Sequence, residues 1–306
     1  MAWYIPVLLR ILMAHICAPS IMKKMVSLPQ RTTRFLLTFT LAAIGTVAIG
    51  MITDQLHHKM VALILGLGFL NGLAAYCQWR ATDISLAKTS VFTFWDDVIA
   101  LGLGLAILGE SQFFNWKLAL GLFIALASVV AYARHDYLIA KASAESQNHR
   151  RRNGLRFYFY VGAYSVIWGV AIFMFRWWGL NGVPLVTFMA NWYTGAMFAA
   201  LLIFFFYRDS SVNQQTIGPF RLSSFLLLGI FTVCMVASIA LGYAAYERAP
   251  VSVVQPIFLV AEMILPALIG LFGFGERKNL CRKEYLLLAS AFLGGALVGL
   301  SHVPVP

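Results

Sequence analysis

Charged residues are scarce in this sequence, and their scarcity decides the class of protein. Only 11% of the 306 residues are charged, whereas 60% are hydrophobic and the mean hydropathy is +0.79. A soluble domain of this composition would aggregate, so the chain is predicted to be an integral membrane protein with several spans. The net charge of +11 does not indicate nucleic-acid binding, because the basic residues lie in short connectors between apolar segments.

Motifs for metals, cofactors and nucleotides are also missing from the sequence. The four cysteines occur singly, without the spacing of a metal site or a disulfide framework. No glycine-rich phosphate loop followed by lysine is present, which excludes ATP-driven pumping. His57 and His58 near Asp54 are interpreted as a solvated connector. The first apolar segment lacks the basic start and cleavage site of a signal peptide. We therefore predict no cofactor, no metal and no enzymatic activity.

Ten apolar segments of bilayer length are present, five on each side of a polar connector. The first five are Ala2–Ile21, Phe35–Thr53, Val61–Trp79, Ile84–Leu108 and Phe114–Ala133. The last five are Phe157–Trp177, Val183–Tyr207, Leu222–Ala245, Val251–Gly275 and Tyr285–Val303. The predicted organisation is a first five-helix repeat at 1–134, a basic polar connector at 135–155 and a second five-helix repeat at 156–306.

The two halves match when one is shifted by 166 residues. Gly109–Glu110 then falls on Gly275–Glu276, and Asp96 falls on Glu262. Tandem copies of a five-span unit must cross the membrane in opposite senses, because five is odd. The predicted fold class is therefore an all-α integral membrane protein with ten transmembrane helices in two inverted five-helix repeats.

Short motifs around the spans extend this interpretation. Ala249–Ser252 reads Ala-Pro-Val-Ser, Pro256 follows within the ninth segment, and Gly275–Glu276 closes it. Trp168–Gly169 lies in the sixth segment, and Gly109–Glu110 closes the fourth. These motifs resemble those of the EamA-type members of the drug/metabolite transporter superfamily. The resemblance extends over nearly the whole chain. The resemblance implies ten helices around a central cavity, and export or uptake of amino acids, nucleosides, sugar derivatives or amphiphilic drugs.

Acidic residues near the middle of two spans are the strongest functional signal. Asp96 and Asp97 lie halfway along the fourth segment, and Glu262 lies halfway along the ninth. An Asp at a helix centre costs about 2.5–3.5 kcal/mol on insertion scales, so each carboxylate needs a partner, a proton or a wet cavity. Lys88 and Arg10 are the candidate partners.

Helical spacing predicts two stripes of side chains that would line a substrate cavity. They are Lys88, Phe92 and Asp96 in the fourth segment, and Gln255, Phe258 and Glu262 in the ninth. Pro256 and Pro266 either open the backbone of the ninth segment or only kink it. The alternative interpretation of the charges is that Arg10–Asp97 or Lys88–Asp96 are buried ion pairs that hold helices in register.

The distribution of Lys and Arg predicts the orientation of the chain. Seventeen lie in connectors that follow odd-numbered spans, four lie on the other face, and Arg10 and Lys88 lie within spans. The rule that cytoplasmic loops are basic places the odd connectors in the cytoplasm and both termini outside the inner membrane.

The predicted function is secondary transport, as an exporter or permease, of small organic metabolites or amphiphilic compounds. The lipid bilayer and a small-molecule substrate are the expected partners, protons are the candidate coupling ion, and no oligomer is required. The alternatives are a membrane-embedded enzyme, which would need a nucleophile or cofactor motif, and a structural or assembly protein, which would leave the charges within the spans without a purpose.

Overall fold

The computed structural model describes residues 4–26, 31–142, 147–206 and 222–301, and within these ranges the regular elements are all helical. Ten helical segments in the described part are long and apolar enough to cross a membrane, which confirms the predicted number of spans. They are Tyr4–Met25, Arg31–Ile52, Val61–Ile84, Leu86–Ile107, Trp116–His135, Arg156–Leu180, Leu185–Phe206, Phe225–Arg248, Val251–Gly273 and Arg282–Leu300.

Three of the spans are not single regular α-helices. The first consists of α1 (Tyr4–Arg10), a π-helical stretch (Ile11–Cys17) and α2 (Ala18–Val26). The fourth consists of α5 (Leu86–Phe92) and α6 (Phe94–Ile107), and the ninth of α11 (Val251–Leu268) followed by a π-helical stretch (Ile269–Gly273). The regular helices are α3 (Arg31–Ile52), α4 (Val61–Ile84), α7 (Trp116–Ala142), α8 (Gln147–Leu180), α9 (Leu185–Phe206), α10 (Leu222–Arg248) and α12 (Arg282–Leu300).

Much of the predicted polar connector at 135–155 is helical. α7 continues to Ala142 and α8 begins at Gln147, so the spans on either side extend into it. Residues 143–146 of the connector lie outside the described residues, as do the predicted span ends at Ala2, Tyr207 and Val303. The predicted placement of both termini concerns residues 1–3 and 302–306, which also lie outside them.

The chain divides into two compact units. The first comprises Met1–Trp79 and Met174–Arg248, and the second comprises Arg80–Phe173 and Ala249–Pro306. Each unit takes segments from both predicted halves, so the compact units differ from the sequence repeats at 1–134 and 156–306. The predicted repeats describe the order of the spans along the chain. This arrangement in two five-helix repeats stays a prediction.

Small residues allow close helix packing inside the first unit. A Cβ atom on Gly68 of α4 would overlap the backbone of Trp192 in α9, and one on Gly72 would overlap that of Ala196. A Cβ atom on Gly195 would in turn overlap the Leu65 carbonyl. Glycines four residues apart on one helix permit this close approach between spans of the same chain.

The same packing chemistry recurs in the second unit. Gly121 of α7 and Gly294 of α12 face each other so closely that a Cβ atom on either would overlap the other's carbonyl oxygen. Gly299 lies against Val260, and Gly295 lies against Met263. These contacts join α12 to α7 and α11. They do not involve the polar residues of α6 and α11, which are positioned by other interactions.

Candidate functional site

Three carboxylates from two spans meet in the second unit. One oxygen each from Asp96, Asp97 and Glu262 lies within 4.8 Å of the others. Asp96 and Asp97 are fully buried, and Glu262 is 8% exposed. The sequence predicted that Asp96 and Glu262 face a common space and not lipid, and the structure brings both into one buried cluster, called here the acidic cluster. Such a cluster can accept protons or coordinate a cation through its oxygens.

A break in the fourth span positions the two aspartates. The α-helical pattern is interrupted at Thr93, where the Asp96 amide donates to the Thr93 carbonyl at 2.8 Å, three residues back. The Thr93 hydroxyl donates to the Ser90 carbonyl at 3.0 Å. Asp96 and Asp97 therefore lie in the first turn of α6.

Gln255 of α11 contacts the acidic cluster, and the same helix contains two prolines. The buried Gln255 amide nitrogen donates to an Asp97 carboxylate oxygen. α11 continues through Pro256 and Pro266, both buried, so the prolines do not break the ninth span into two α-helices. Pro266 nevertheless has no N–H for the Glu262 carbonyl four residues earlier.

Phe92, which the sequence predicted to line a substrate cavity, packs among other aromatic side chains. Its ring makes edge contacts with Tyr132, Phe157 and Tyr158, at centroid distances of 5.7, 5.7 and 5.3 Å, within a buried apolar core. The stripe of Lys88, Phe92 and Asp96 required one regular helix, and the break at Thr93 removes that regularity. Phe258 is also fully buried.

Lys88 has a partner that the sequence did not suggest. Its Nζ lies 3.5 Å from a carboxylate oxygen of Glu284 and 5.2 Å from the centre of the Tyr132 ring. The Tyr132 hydroxyl donates to the same carboxylate at 3.0 Å, and the Cys281 amide donates to it at 2.7 Å. Glu284 lies three residues after the N-cap of α12, a position where sequence alone could have predicted a capping role.

Arg10 belongs to the first unit, whereas the acidic cluster belongs to the second. It is 4% exposed, and its Nη1 lies 3.3 Å from the Tyr246 hydroxyl, with the guanidinium 5.9 Å from the centre of that ring. The π-helical stretch that follows Arg10 carries the buried His15. Such stretches are frequent at functional sites. The predicted pair Arg10–Asp97 stays a prediction.

The two Gly-Glu motifs cap helices reciprocally within the second unit. Glu110 accepts from the Val251 amide at 3.2 Å and from the Ser252 amide and hydroxyl at 2.9 and 2.8 Å. Glu276 accepts from the Leu86 amide at 2.9 Å, and from the Ser85 hydroxyl and Ala87 amide at 2.8 and 3.0 Å. Each carboxylate thus satisfies the first amides of the span to which the other is attached.

The glycine before each capping glutamate is required by the backbone. Gly109 has φ +69° and Gly275 has φ +68°, a left-handed conformation that side chains disfavour. The sequence showed these motifs as a pair but not their function. Nothing in the sequence near the helix starts at 86 and 251 indicated that a distant glutamate would satisfy their amides.

The reciprocal caps offer a second way to align the two predicted halves. Glu110 and Glu276 are 166 positions apart, but the capped residues Leu86 and Val251 are 165 apart. The π-helical stretch in the ninth span accommodates the additional residue. In the register set by the helix starts, Glu262 corresponds to Asp97 rather than to Asp96. The predicted equivalence of Asp96 and Glu262 rests on the ungapped 166-residue shift, and it stays a prediction.

Comparison with known proteins supports the fold and leaves the function open. No family model matches the chain, and no curated protein matches it. Nineteen chains of known structure match. One of them, described only as "Crystal structure of protein", has a TM-score of 0.62 and 15% identity over 97% of this chain and 95% of its own. At that identity the likeness concerns the fold alone.

Proposed function

We propose that the protein is a secondary transporter, an exporter or permease, for small organic metabolites or amphiphilic compounds. The observation that carries the proposal is the acidic cluster of Asp96, Asp97 and Glu262. Ionisable groups kept inside membrane spans are costly, and they characteristically mark substrate or ion pathways. The ten-span architecture is compatible with this function, and the resemblance to EamA-type transporters favours it.

Protons are the proposed coupling ion. Three carboxylates within 4.8 Å of one another repel strongly in a medium of low dielectric constant, so the cluster gains most from a ligand that brings positive charge. A proton is the smallest such ligand, and an ammonium group on a substrate is another. Competition between the two for the same oxygens would couple substrate movement to proton movement without covalent chemistry.

The proposed orientation places both termini outside the inner membrane. Seventeen basic residues in odd connectors against four on the other face support it. The inverted arrangement of two five-helix repeats is part of the same proposal, and the reciprocal caps of Glu110 and Glu276 support it. Two spans that cap each other's ends are what antiparallel copies of one unit would produce.

Reconstitution tests transport and coupling together. The full-length protein is placed in liposomes that contain a pH-sensitive dye, and a metabolite panel is screened with and without an imposed pH gradient. We expect substrate flux to move protons, and Glu262→Gln and Asp97→Asn each to abolish this movement. Glu247→Gln is the matched control, because Glu247 is an exposed acidic residue at the end of α10.

The outcomes separate transport from coupling. A flux that follows a Na⁺ gradient and ignores pH would refute proton coupling but keep the acidic cluster as the ion site. A flux that is unaffected by both substitutions would show that the carboxylates are structural. No flux for any compound in the panel, from protein that is folded and correctly inserted, would count against transport itself.

A further inference from the structure

A cavity of about 700 Å³ lies in the first unit, beside the connector between the second and third spans. Its volume is within the range of pockets that hold small molecules. None of the residues that line it belongs to the acidic cluster, to the reciprocal caps or to the predicted substrate stripes. The proposed transport function therefore does not account for it.

The connector contributes the basic part of the cavity lining, called here the basic end. His57, His58 and Lys59 line it, and none of its nine lining residues is acidic. The Met60 amide donates to His58 Nδ1 at 3.2 Å. A neutral imidazole that accepts at Nδ1 carries its proton on Nε2, so the other edge of this ring is a donor. This end suits a group with negative charge and several acceptor oxygens, such as a phosphate.

The part of the lining that α3 contributes is apolar, and the same face of α3 carries exposed apolar side chains. Val47 of α3 lines the cavity, and Ile44 and Met51 share its helix face at spacings of three and four residues. Ile44 is 62% exposed and Met51 is 63% exposed, as expected for side chains that contact hydrocarbon in a membrane span. A ligand chain could therefore leave the cavity along α3 and stay in contact with apolar groups.

The connector that forms the basic end is held by the helices around it. The Gln55 amide donates to the Gly50 carbonyl at 3.0 Å, and the Thr187 hydroxyl of α9 donates to the Gln55 carbonyl. The Leu56 side chain packs onto Gly50, where a Cβ atom would collide with it. The site is thus anchored to α3 and α9 before any ligand binds, which lowers the entropic cost of binding.

We propose that this cavity binds an anionic phospholipid of the surrounding bilayer. α3 ends at Ile52 and α4 begins at Val61, so the connector lies where hydrocarbon gives way to lipid headgroups. The headgroup phosphate contacts Lys59 and the two imidazoles, and one acyl chain follows the face of α3 that contains Val47. A free phosphate would satisfy only the basic end, whereas a phospholipid satisfies both the basic end and the apolar lining from α3.

Native mass spectrometry of the full-length protein in detergent tests the proposal. Phosphatidylglycerol and phosphatidylcholine with identical acyl chains are added separately, and the retained lipid is counted. We expect preferential retention of phosphatidylglycerol, and Lys59→Ala should weaken its binding about fivefold. Lys117→Ala is the matched control, because Lys117 is also a lysine at a span end but does not line the cavity. It should leave retention unchanged.

A second variant tests whether the bound lipid occupies the space inside the cavity. Thr194 lines the cavity, and its hydroxyl bonds within its own helix, to the Ala190 carbonyl. Thr194→Trp should fill the space and abolish selective retention of phosphatidylglycerol while the protein still elutes as a single species. If this variant fails to fold, the comparison of Lys59→Ala with Lys117→Ala still tests whether phosphatidylglycerol binds in this cavity.

Three results would overturn the proposal. Equal retention of the two lipids would remove the headgroup selectivity, and equal losses from Lys59→Ala and Lys117→Ala would place any bound lipid elsewhere. Displacement of phosphatidylglycerol by inorganic phosphate, with equal protection against heat, would identify a soluble anion as the occupant. These measurements are made without any transported substrate, so their failure is independent of the transport proposal.

Discussion

Gln255 of α11 donates a hydrogen bond to Asp97 of α6, and both side chains are fully buried. The donor is neutral, so it orients the carboxylate without cancelling its charge. Glu262 lies two helical turns after Gln255 on the same helix, which places the hydrogen bond and the third carboxylate on one face. The acidic cluster is therefore held in shape by an amide and stays able to accept a cation or a proton.

Replacement of Gln255 should disturb both stability and coupling. Gln255→Leu leaves a buried carboxylate oxygen without this donor, and the expected loss in unfolding free energy is about 1–3 kcal/mol. Thermal unfolding in detergent measures the loss, and proton movement in liposomes measures the coupling. Gln255→Glu adds a fourth acid and should impair coupling further. Wild-type behaviour of Gln255→Leu in both assays would show that the hydrogen bond is dispensable.

Removal of Glu110 should destabilise the protein more than removal of Glu276. Each carboxylate accepts three hydrogen bonds. Glu110 is buried and Glu276 is only half-buried, so water can replace Glu276 more easily. We expect Glu110→Ala to lower the unfolding free energy by about 1–3 kcal/mol. Gln112→Ala is the control, because Gln112 is exposed two residues from Glu110, and it should leave stability unchanged.

The measurement for the caps is the unfolding midpoint of each variant in the same detergent. Glu110→Gln keeps one acceptor oxygen and should fall between Glu110→Ala and the wild type. A larger loss for Glu276→Ala than for Glu110→Ala would contradict the argument from burial.

Two glycines of α4 make a matched test of close packing. Gly68→Ala places a methyl group against the Trp192 backbone, and overpacking of this kind costs about 1–3 kcal/mol. Gly66→Ala is the control, because nothing lies within 4 Å of a Cβ atom at Gly66. It should be neutral or slightly stabilising, since alanine favours the helix. Equal effects of the two substitutions on the unfolding midpoint would refute the contact between α4 and α9.

Lys88 and Glu284 should be energetically coupled. Lys88 is 21% exposed and Glu284 is 9% exposed at the side chain, so we expect a modest coupling of about 0.5–1 kcal/mol. A double-mutant cycle with Lys88→Met and Glu284→Gln, measured by unfolding, gives this value directly. A cycle with Lys88→Met and Asp96→Asn tests the pair that the sequence predicted, and we expect the smaller coupling there. A larger coupling between Lys88 and Asp96 than between Lys88 and Glu284 would support the ion pair that the sequence predicted.

The orientation of the chain can be tested with a fused reporter. A reporter after Pro306 should be active in the periplasm and silent in the cytoplasm, because the basic connectors favour the cytoplasmic face. A second fusion in the basic connector near Arg151 should give the opposite result. Cytoplasmic activity of the first fusion would show that the charge distribution does not set the topology here.

Local sequence patterns were sufficient to predict a helical protein with ten segments long and apolar enough to cross a membrane, and with acids within two of them. These features follow from local chemistry, because an apolar run of bilayer length has to satisfy its backbone as a helix wherever it lies. The same reasoning identified Asp96, Asp97 and Glu262, since a charge within such a run is conspicuous without any knowledge of its neighbours. Gln255 was also named from its position on the same helical stripe as Glu262.

Which of these residues meet, and what the others contact, depends on packing between helices that are distant in the sequence. Phe92 packs in a core, Lys88 pairs with Glu284, and Glu110 caps a helix more than a hundred residues away. The break at Thr93 and the π-helical stretch after Leu268 change the helical register by about a residue, which rotates every later side chain. Such shifts depend on the contacts between helices, and no periodicity within one segment can reveal them.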